Sequence, residues 1–186
     1  TLVDSRFTIP VSVIAPLYNE EAVAVAAVRA MLAQQYPEFE VVVVNDGSSD
    51  ATLDRLREAF DLEKLEVFYR RVLPTGDVRG LYRSRADRRL LVVDKANGGK
   101  ADALNTGINL ARYRYLCTVD GDTVLFRDAL LRGMRLALRD PSRVLGITSQ
   151  VEISRHPEKG IESPAGEHRA DPRAFTNFQR LDYLRA

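Results

Sequence analysis

The chain has 186 residues, about one ordinary domain, and is long enough to bury a core without a disulfide or metal staple. Lys and Arg number 27 against 26 Asp and Glu, and the resulting net charge of +1 argues against a nucleic-acid partner, which calls for a basic excess. The single cysteine, Cys117, excludes an internal disulfide framework and a cysteine zinc cluster, and His156 and His168 are too far apart to share one helical turn. No apolar run approaches the roughly 18 residues of a membrane span and no signal peptide is evident, so the chain, which starts at Thr1, is expected to be a soluble piece of something longer. Arg outnumbers Lys 23 to 4, which singles out each lysine for attention.

Val11 to Ala15 (VSVIA) is an apolar run ending at Pro16 and predicts a strand. Glu21 to Gln35 predicts a helix that is apolar on most faces, hence buried, and stopped by Tyr36-Pro37. Glu40 to Asn45 (EVVVVN) is a continuous β-branched run, as expected of a strand covered on both faces. The DGSSD turn follows, and Ser49 or Asp50 is suited to cap a helix over Thr52 to Phe60. Leu65 to Tyr69 predicts another strand and Leu90 to Asp94 (LLVVD) a clearer one. Residues 70–89 between them hold Arg70, Arg71, Arg79, Arg83, Arg85, Arg88 and Arg89. They read as a surface insertion, either facing an anionic membrane or simply solvated. Lys100 to Tyr113 predicts a helix, Tyr115 to Val119 a strand, and Asp128 to Arg139 an amphipathic helix stopped by Asp140-Pro141. Val144 to Ile153 predicts a further strand, residues 155–173 a polar loop, and Ala174 to Ala186 the beginning of a helix. Strands alternating with helices predict one α/β domain over residues 1–186, a parallel sheet with helices on both faces, and ligands outside the carboxyl ends of its strands.

Four short segments lie at or near those ends. In CTVDGDT, Asp120 and Asp122 are two residues apart, so in extended chain they point the same way and can share a hard divalent cation, with Gly121 allowing a phosphate close to the backbone. The plainer account makes Asp122 a helix cap and Asp120 a solvated side chain. In VVVVNDGSSDAT, Asp46 is positioned to accept a hydrogen bond from the imide of a uracil-type base, while an Asx-turn with a cap explains the same residues without a ligand. In KANGGKADALN, two glycines precede Lys100 at a helix start, which suits a phosphate, although neither a Walker loop nor a GxGxxG fingerprint is present. PLYNEE, from Pro16 to Glu21, lacks the glycines of a pyrophosphorylase-type loop.

Taken in order, VSVIAPLYNEE, VVVVNDGSSDAT, NGGKADALNTGI and CTVDGDTVL resemble the family-two glycosyltransferases of GT-A fold over about Val11 to Gln150. Within them the chain is most similar to the membrane-associated branch of poly-N-acetylglucosamine, hyaluronan, chitin and cellulose synthases. The resemblance implies a Rossmann-like, mostly parallel sheet and an inverting enzyme that uses a nucleotide-sugar, usually a UDP-sugar, with Mg2+ or Mn2+ and a saccharide or lipid-linked acceptor. It implies that Pro16, Tyr18, Glu20 and Asp46 line the nucleoside pocket, that Lys100 lies near the donor, that Asp120 contacts ribose or metal, and that Asp122 ligates the metal. The TED-like motif with the catalytic base and the QxxRW motif of processive members do not occur, so the domain is expected to be truncated on its carboxyl side and to bind donor without efficient turnover. The helix from Ala174 is then expected to be mobile or to pack in a non-native way, for instance against another copy, and the parent protein to work at the cytoplasmic face of the plasma membrane through segments absent here. A nucleotidyltransferase on a similar fold and a non-catalytic nucleotide-binding module are the rival readings.

Overall fold

The structure is a computed structural model and describes residues 9–139 and 144–148. Its ten elements in chain order are β1 (Val11–Leu17), α1 (Ala24–Leu32), β2 (Phe39–Asp46), α2 (Thr52–Phe60), β3 (Leu62–Leu65), β4 (Val78–Ser84), β5 (Leu90–Lys95), α3 (Lys100–Leu110), β6 (Tyr115–Thr118) and α4 (Ala129–Ala137). The six strands form one sheet in the order β3-β4-β5-β2-β1-β6. β5, β2, β1 and β6 are mutually parallel, and β4 and β3 extend the sheet antiparallel at one side.

The β-branched run of β2 is buried along its whole length because both faces of the sheet are covered. Side chains alternate between faces. Val41 and Val43 join Val13, Ala15, Leu90 and Val92 in a core with residues of α1, α2 and α4. Val42 and Val44 join Leu91, Val93 and Leu81 in a second, smaller core with Ala103 of α3. At about 25 cal/mol per Å2 of apolar surface, each fully buried valine contributes on the order of 1.5–3 kcal/mol, so β2 anchors both layers.

Order along the sheet reverses at β1: the chain proceeds from β1 through β2 towards β5, then returns to place β6 on the other side of β1. Such a reversal opens a crevice outside the carboxyl ends of the strands. Pro16 is accommodated in β1 because β6 reaches only Thr118, opposite Ile14, so β1 has there a neighbour on one side only.

The strand expected at Leu65 to Tyr69 is instead β3, Leu62–Leu65, whose position is set by antiparallel pairing with β4. No strand was expected at Val78–Ser84, yet β4 is an interior strand of the sheet, with Gly80, Leu81, Tyr82 and Ser84 buried. The arginines in it and after it concealed it, since a charge run reads as solvated chain. The helix expected at Thr52 to Phe60 has those bounds, while the others shorten by up to three residues at an end, with α1 at Ala24–Leu32 and α3 at Lys100–Leu110. Residues 144–148 carry no strand, and the remainder of the strand expected at Val144 to Ile153, the polar loop at 155–173 and the helix from Ala174 lie outside the described residues.

Candidate functional site

The turns after β1 and β2 are laced together by side chains on backbone. Ser48 Oγ accepts from the Asn19 amide at 2.9 Å, and Asn19 Oδ1 accepts from the Ser49 amide at 2.8 Å. Thr52 Oγ1 accepts from the Glu20 amide at 2.9 Å. Asp50 accepts from the Glu21 amide at 3.1 Å and from the Thr52 amide at 3.0 Å, so it serves the start of α2 and the first turn together. Asn19 holds a left-handed φ of 55°, a conformation asparagine tolerates. This lacing presents Tyr18 half-exposed and Glu20 partly covered at the carboxyl end of β1.

Glu20 faces the acidic turn after β6. Burial, then the charges of Asp122 and Asp50, push its carboxyl above the usual glutamate range. Asp120 lies 2.6 Å from Lys100 Nζ, an ion pair with both side chains well exposed. A pair that open to water is worth about 0–1 kcal/mol and exchanges easily for another partner. Pro16, Glu20, Lys100, Asp120 and Asp122 therefore converge on the crevice where β1 and β6 end.

Gly121 was expected to make room for a phosphate. In the structure that room belongs to β1: a Cβ on Gly121 would lie 2.3 Å from Leu17 Cδ2 and 3.0 Å from the Pro16 carbonyl oxygen. The glycine lets the acidic turn close onto the first strand. Among the described residues no three His, Cys, Asp or Glu side chains form a ready cage for a cation. The donor set nevertheless fits magnesium or manganese bound together with a phosphate-bearing ligand. Asp120 and Asp122 offer hard oxygens, the mutual repulsion around Glu20 is what a cation would relieve, and the rest of the coordination sphere is left to phosphate and water.

Asp46 occupies the carboxyl end of β2, where it is buried. It is in register with Lys95 at the end of β5, and parallel neighbours in register share a face. Lys95 Nζ lies 2.7 Å from Asp46 Oδ1 and 2.6 Å from Asp102 Oδ2. Asp46 Oδ1 also accepts from the Gly98 amide at 3.0 Å, and Oδ2 from the Gly99 amide at 2.8 Å. By sequence this glycine turn suits a phosphate, which would take its free backbone amides. Those of Gly98 and Gly99 are instead committed to Asp46, which leaves the first turn of α3 and Lys100 for that role. Of the roughly four acceptor positions on the Asp46 carboxylate, three are filled and one remains. Lys95 was missed by motif reading; the scarcity of lysine was the one signal that pointed to it.

The arginine stretch does not form one surface. β4 starts at Val78 opposite Lys95 and runs back to Ser84 at the amino side of the sheet. Arg79 thus opens β4 at the site's edge, whereas Arg83, Arg85, Arg88 and Arg89 gather at the opposite edge. There Arg85 pairs with Glu63, and Arg89 pairs with Asp87 while lying over the Phe39 ring. Arg70 and Arg71 lead into Val72 and Leu73, whose amides donate to Asn109 Oδ1 in the last turn of α3, away from the site.

The glycosyl transferase family 2 model matches residues 12–181, and the chain belongs to that family. A poly-beta-1,6-N-acetyl-D-glucosamine synthase of Staphylococcus epidermidis is 32% identical over 119 residues, covering 64% of this chain and 23% of the relative. The uncharacterized glycosyltransferase EpsJ of Bacillus subtilis is 33% identical over 112 residues, covering 60% and 26%. The chain therefore spans about a quarter of the length of these relatives. Among solved structures, the mannosyltransferase PcManGT of Pyrobaculum calidifontis, in complex with GDP-Man and Mn2+, is similar at a TM-score of 0.55 and 26% identity, covering 71% of this chain and 33% of that one. Staphylococcus aureus TarS residues 1–349, in complex with UDP-GlcNAc, shares the fold at a TM-score of 0.53 and 22% identity, covering 77% and 38%. The fold is thus GT-A, as the ordered motifs implied.

Proposed function

We propose that this chain supplies the donor-binding side of an inverting glycosyltransferase that takes a nucleotide-sugar, UDP-linked, and transfers its sugar to a saccharide or lipid-linked acceptor in cell-surface polysaccharide synthesis. The observation that carries the reading is the meeting of Glu20, Lys100, Asp120 and Asp122 at the crevice between β1 and β6. The similarity to a poly-N-acetylglucosamine synthase supports the polymer class.

Asp120 and Asp122 would hold Mg2+ or Mn2+, which would offset charge developing on the leaving nucleoside diphosphate. Lys100 leaves Asp120 for the diphosphate as the donor arrives, an exchange their exposure makes easy. Asp46, through its remaining acceptor position, takes the imide N–H of the base, and Pro16 and Tyr18 flank the nucleoside. An acceptor hydroxyl, deprotonated by a base on the acceptor side, displaces the diphosphate at the anomeric carbon from the opposite face, which inverts that centre.

We assign the parent protein to the cytoplasmic face of the plasma membrane. What supports this is the segment before β4, where Val67, Phe68 and Val72 are exposed beside Arg70 and Arg71.

The test is calorimetric titration of UDP, GDP and CDP with and without Mn2+. Wild type is expected to prefer UDP and to gain affinity with the metal, and Asp122→Ala to lose that gain. A full metal-dependent gain in the variant refutes the metal assignment, and equal UDP and CDP affinities refute the role of Asp46.

A further inference from the structure

Among the described residues Lys95 is the largest side chain wholly removed from solvent, and it sits between two carboxylates rather than one. Its third donor goes to the Ala96 carbonyl at 2.5 Å. Each partner has a second task. Asp46 receives the amides of Gly98 and Gly99, the two residues leading into α3. Asp102, in the first turn of α3, receives the Gly76 amide at 2.8 Å. Gly76 belongs to the segment joining β3 to β4, which is tied to the end of β5 again by the Ala96 amide on the Asp77 carbonyl at 2.9 Å. This segment covers the ammonium: a Cβ on Gly76 would come within 3.7 Å of Nζ.

The turn takes this shape only with glycine at both positions. Gly99 holds a φ of +84°, and a Cβ on Gly98 would stand 2.7 Å from Asp102 Oδ2. Burial is the largest single influence on Lys95 and disfavours its charge. The hydrogen bonds and charges of Asp102 and Asp46 together outweigh it and hold the ammonium above the usual lysine range. With the ammonium removed, two carboxylates would face each other in a covered site, and like charges this close repel strongly.

From these contacts we infer that Lys95 is a positioning residue: with Asp46 and Asp102 it clamps the Gly98–Gly99 turn and thereby aims Lys100 and the first turn of α3 at the donor diphosphate. The inference rests on the donor-site reading above, and it couples the base side of the site, through Asp46, to the phosphate side. Lys95 itself touches neither base nor phosphate in this scheme.

Two measurements on Lys95→Met and Asp102→Ala decide it. The first is amide hydrogen exchange, followed by NMR, at Gly98 and Gly99 against Val43 in the middle of β2. The clamp predicts exchange at the two glycines accelerated about ten-fold or more beyond any change at Val43, the usual scale for losing a charge-assisted hydrogen bond. The second is UDP titration with Mn2+. Affinity should fall about ten-fold or more in Lys95→Met and several-fold in Asp102→Ala. Asp102 is partly exposed, so Asp102→Ala carries both measurements if Lys95→Met does not fold. Unchanged glycine protection overturns the clamp. Loss of protection with UDP affinity within about two-fold of wild type overturns its role at the donor site. Failure of the wild-type chain to bind UDP or GDP refutes the donor-site reading and with it the aiming role, while the exchange data still decide whether the clamp exists.

Discussion

Replacing Gly121 with alanine tests why the acidic turn sits where it does. The new Cβ would lie 2.3 Å from Leu17 Cδ2 and 3.0 Å from the Pro16 carbonyl oxygen, where ordinary contact starts near 3.4 Å. Leu17 is buried and cannot swing into solvent, and the Pro16 oxygen is backbone. The turn must therefore move away from β1 by about 1 Å. Overpacking of this kind costs about 1–3 kcal/mol. In a chain of this size that lowers Tm by about 2–12 °C. Metal ligation tolerates only about 0.2 Å of error, so the manganese-dependent gain in UDP affinity should fall at least about ten-fold. Gly133→Ala provides the control. Gly133 lies inside α4 with open space around its Cβ position, so there the same change should stabilise by about 0.5–1 kcal/mol. Thermal melts followed by circular dichroism and UDP titrations with and without Mn2+ read both variants. If Gly121→Ala melts within about 1 °C of wild type and keeps its metal-dependent gain, the packing argument for that glycine is wrong.

Three other outcomes follow from the geometry. The Lys95 hydrogen bond, ahead of the Gly76 amide and the Lys95 charge, holds the Asp102 carboxyl below the ordinary aspartate value of 3.8; burial opposes them. A lowered folded value means stability that is present above 3.8 and lost as pH falls through the lowered value, so urea unfolding should show a shallower acid limb for Asp102→Asn than for wild type. Glu40 is buried at the amino edge of the sheet, accepting from Ser12 Oγ at 2.7 Å and from the Arg112 amide and Nε at 2.6 Å. Arg112 is half exposed, so Glu40→Ala should cost only about 1–3 kcal/mol in urea unfolding and leave UDP affinity unchanged, since it lies at the edge opposite the site. In liposome co-sedimentation with anionic vesicles, Phe68→Ala combined with Arg70→Ala and Arg71→Ala should weaken binding, at about 1 kcal/mol per arginine. The Arg83, Arg85, Arg88, Arg89 quadruple alanine variant should not, and salt-independent behaviour shared by all three proteins would refute a membrane-facing segment.

Much of the candidate site was legible as order along the chain. An apolar strand ending in a small acidic turn occurs at Asp46 and again at Asp120, and a parallel sheet brings such turns to one edge by construction. The continuous valines of β2 demanded cover on both faces, and alternating side chains met it with two cores. What sequence alone left undecided were relations that depend on register and pairing. β4 becomes a strand because β5 and β3 lie on either side of it to complete its hydrogen bonds, whatever its arginines suggest in isolation. Pairing also sets Arg79 at the carboxyl edge of the sheet and Arg83 toward its amino edge. Gly121 is glycine because Leu17 and Pro16, more than a hundred residues earlier in the chain, fill the space a side chain would need. Lys95 and Asp46, 49 residues apart, become an ion pair because β2 and β5 lie in parallel with those two residues opposite each other. Local composition records which side chains favour a strand, a turn or a cation; which of them meet is a property of the folded sheet.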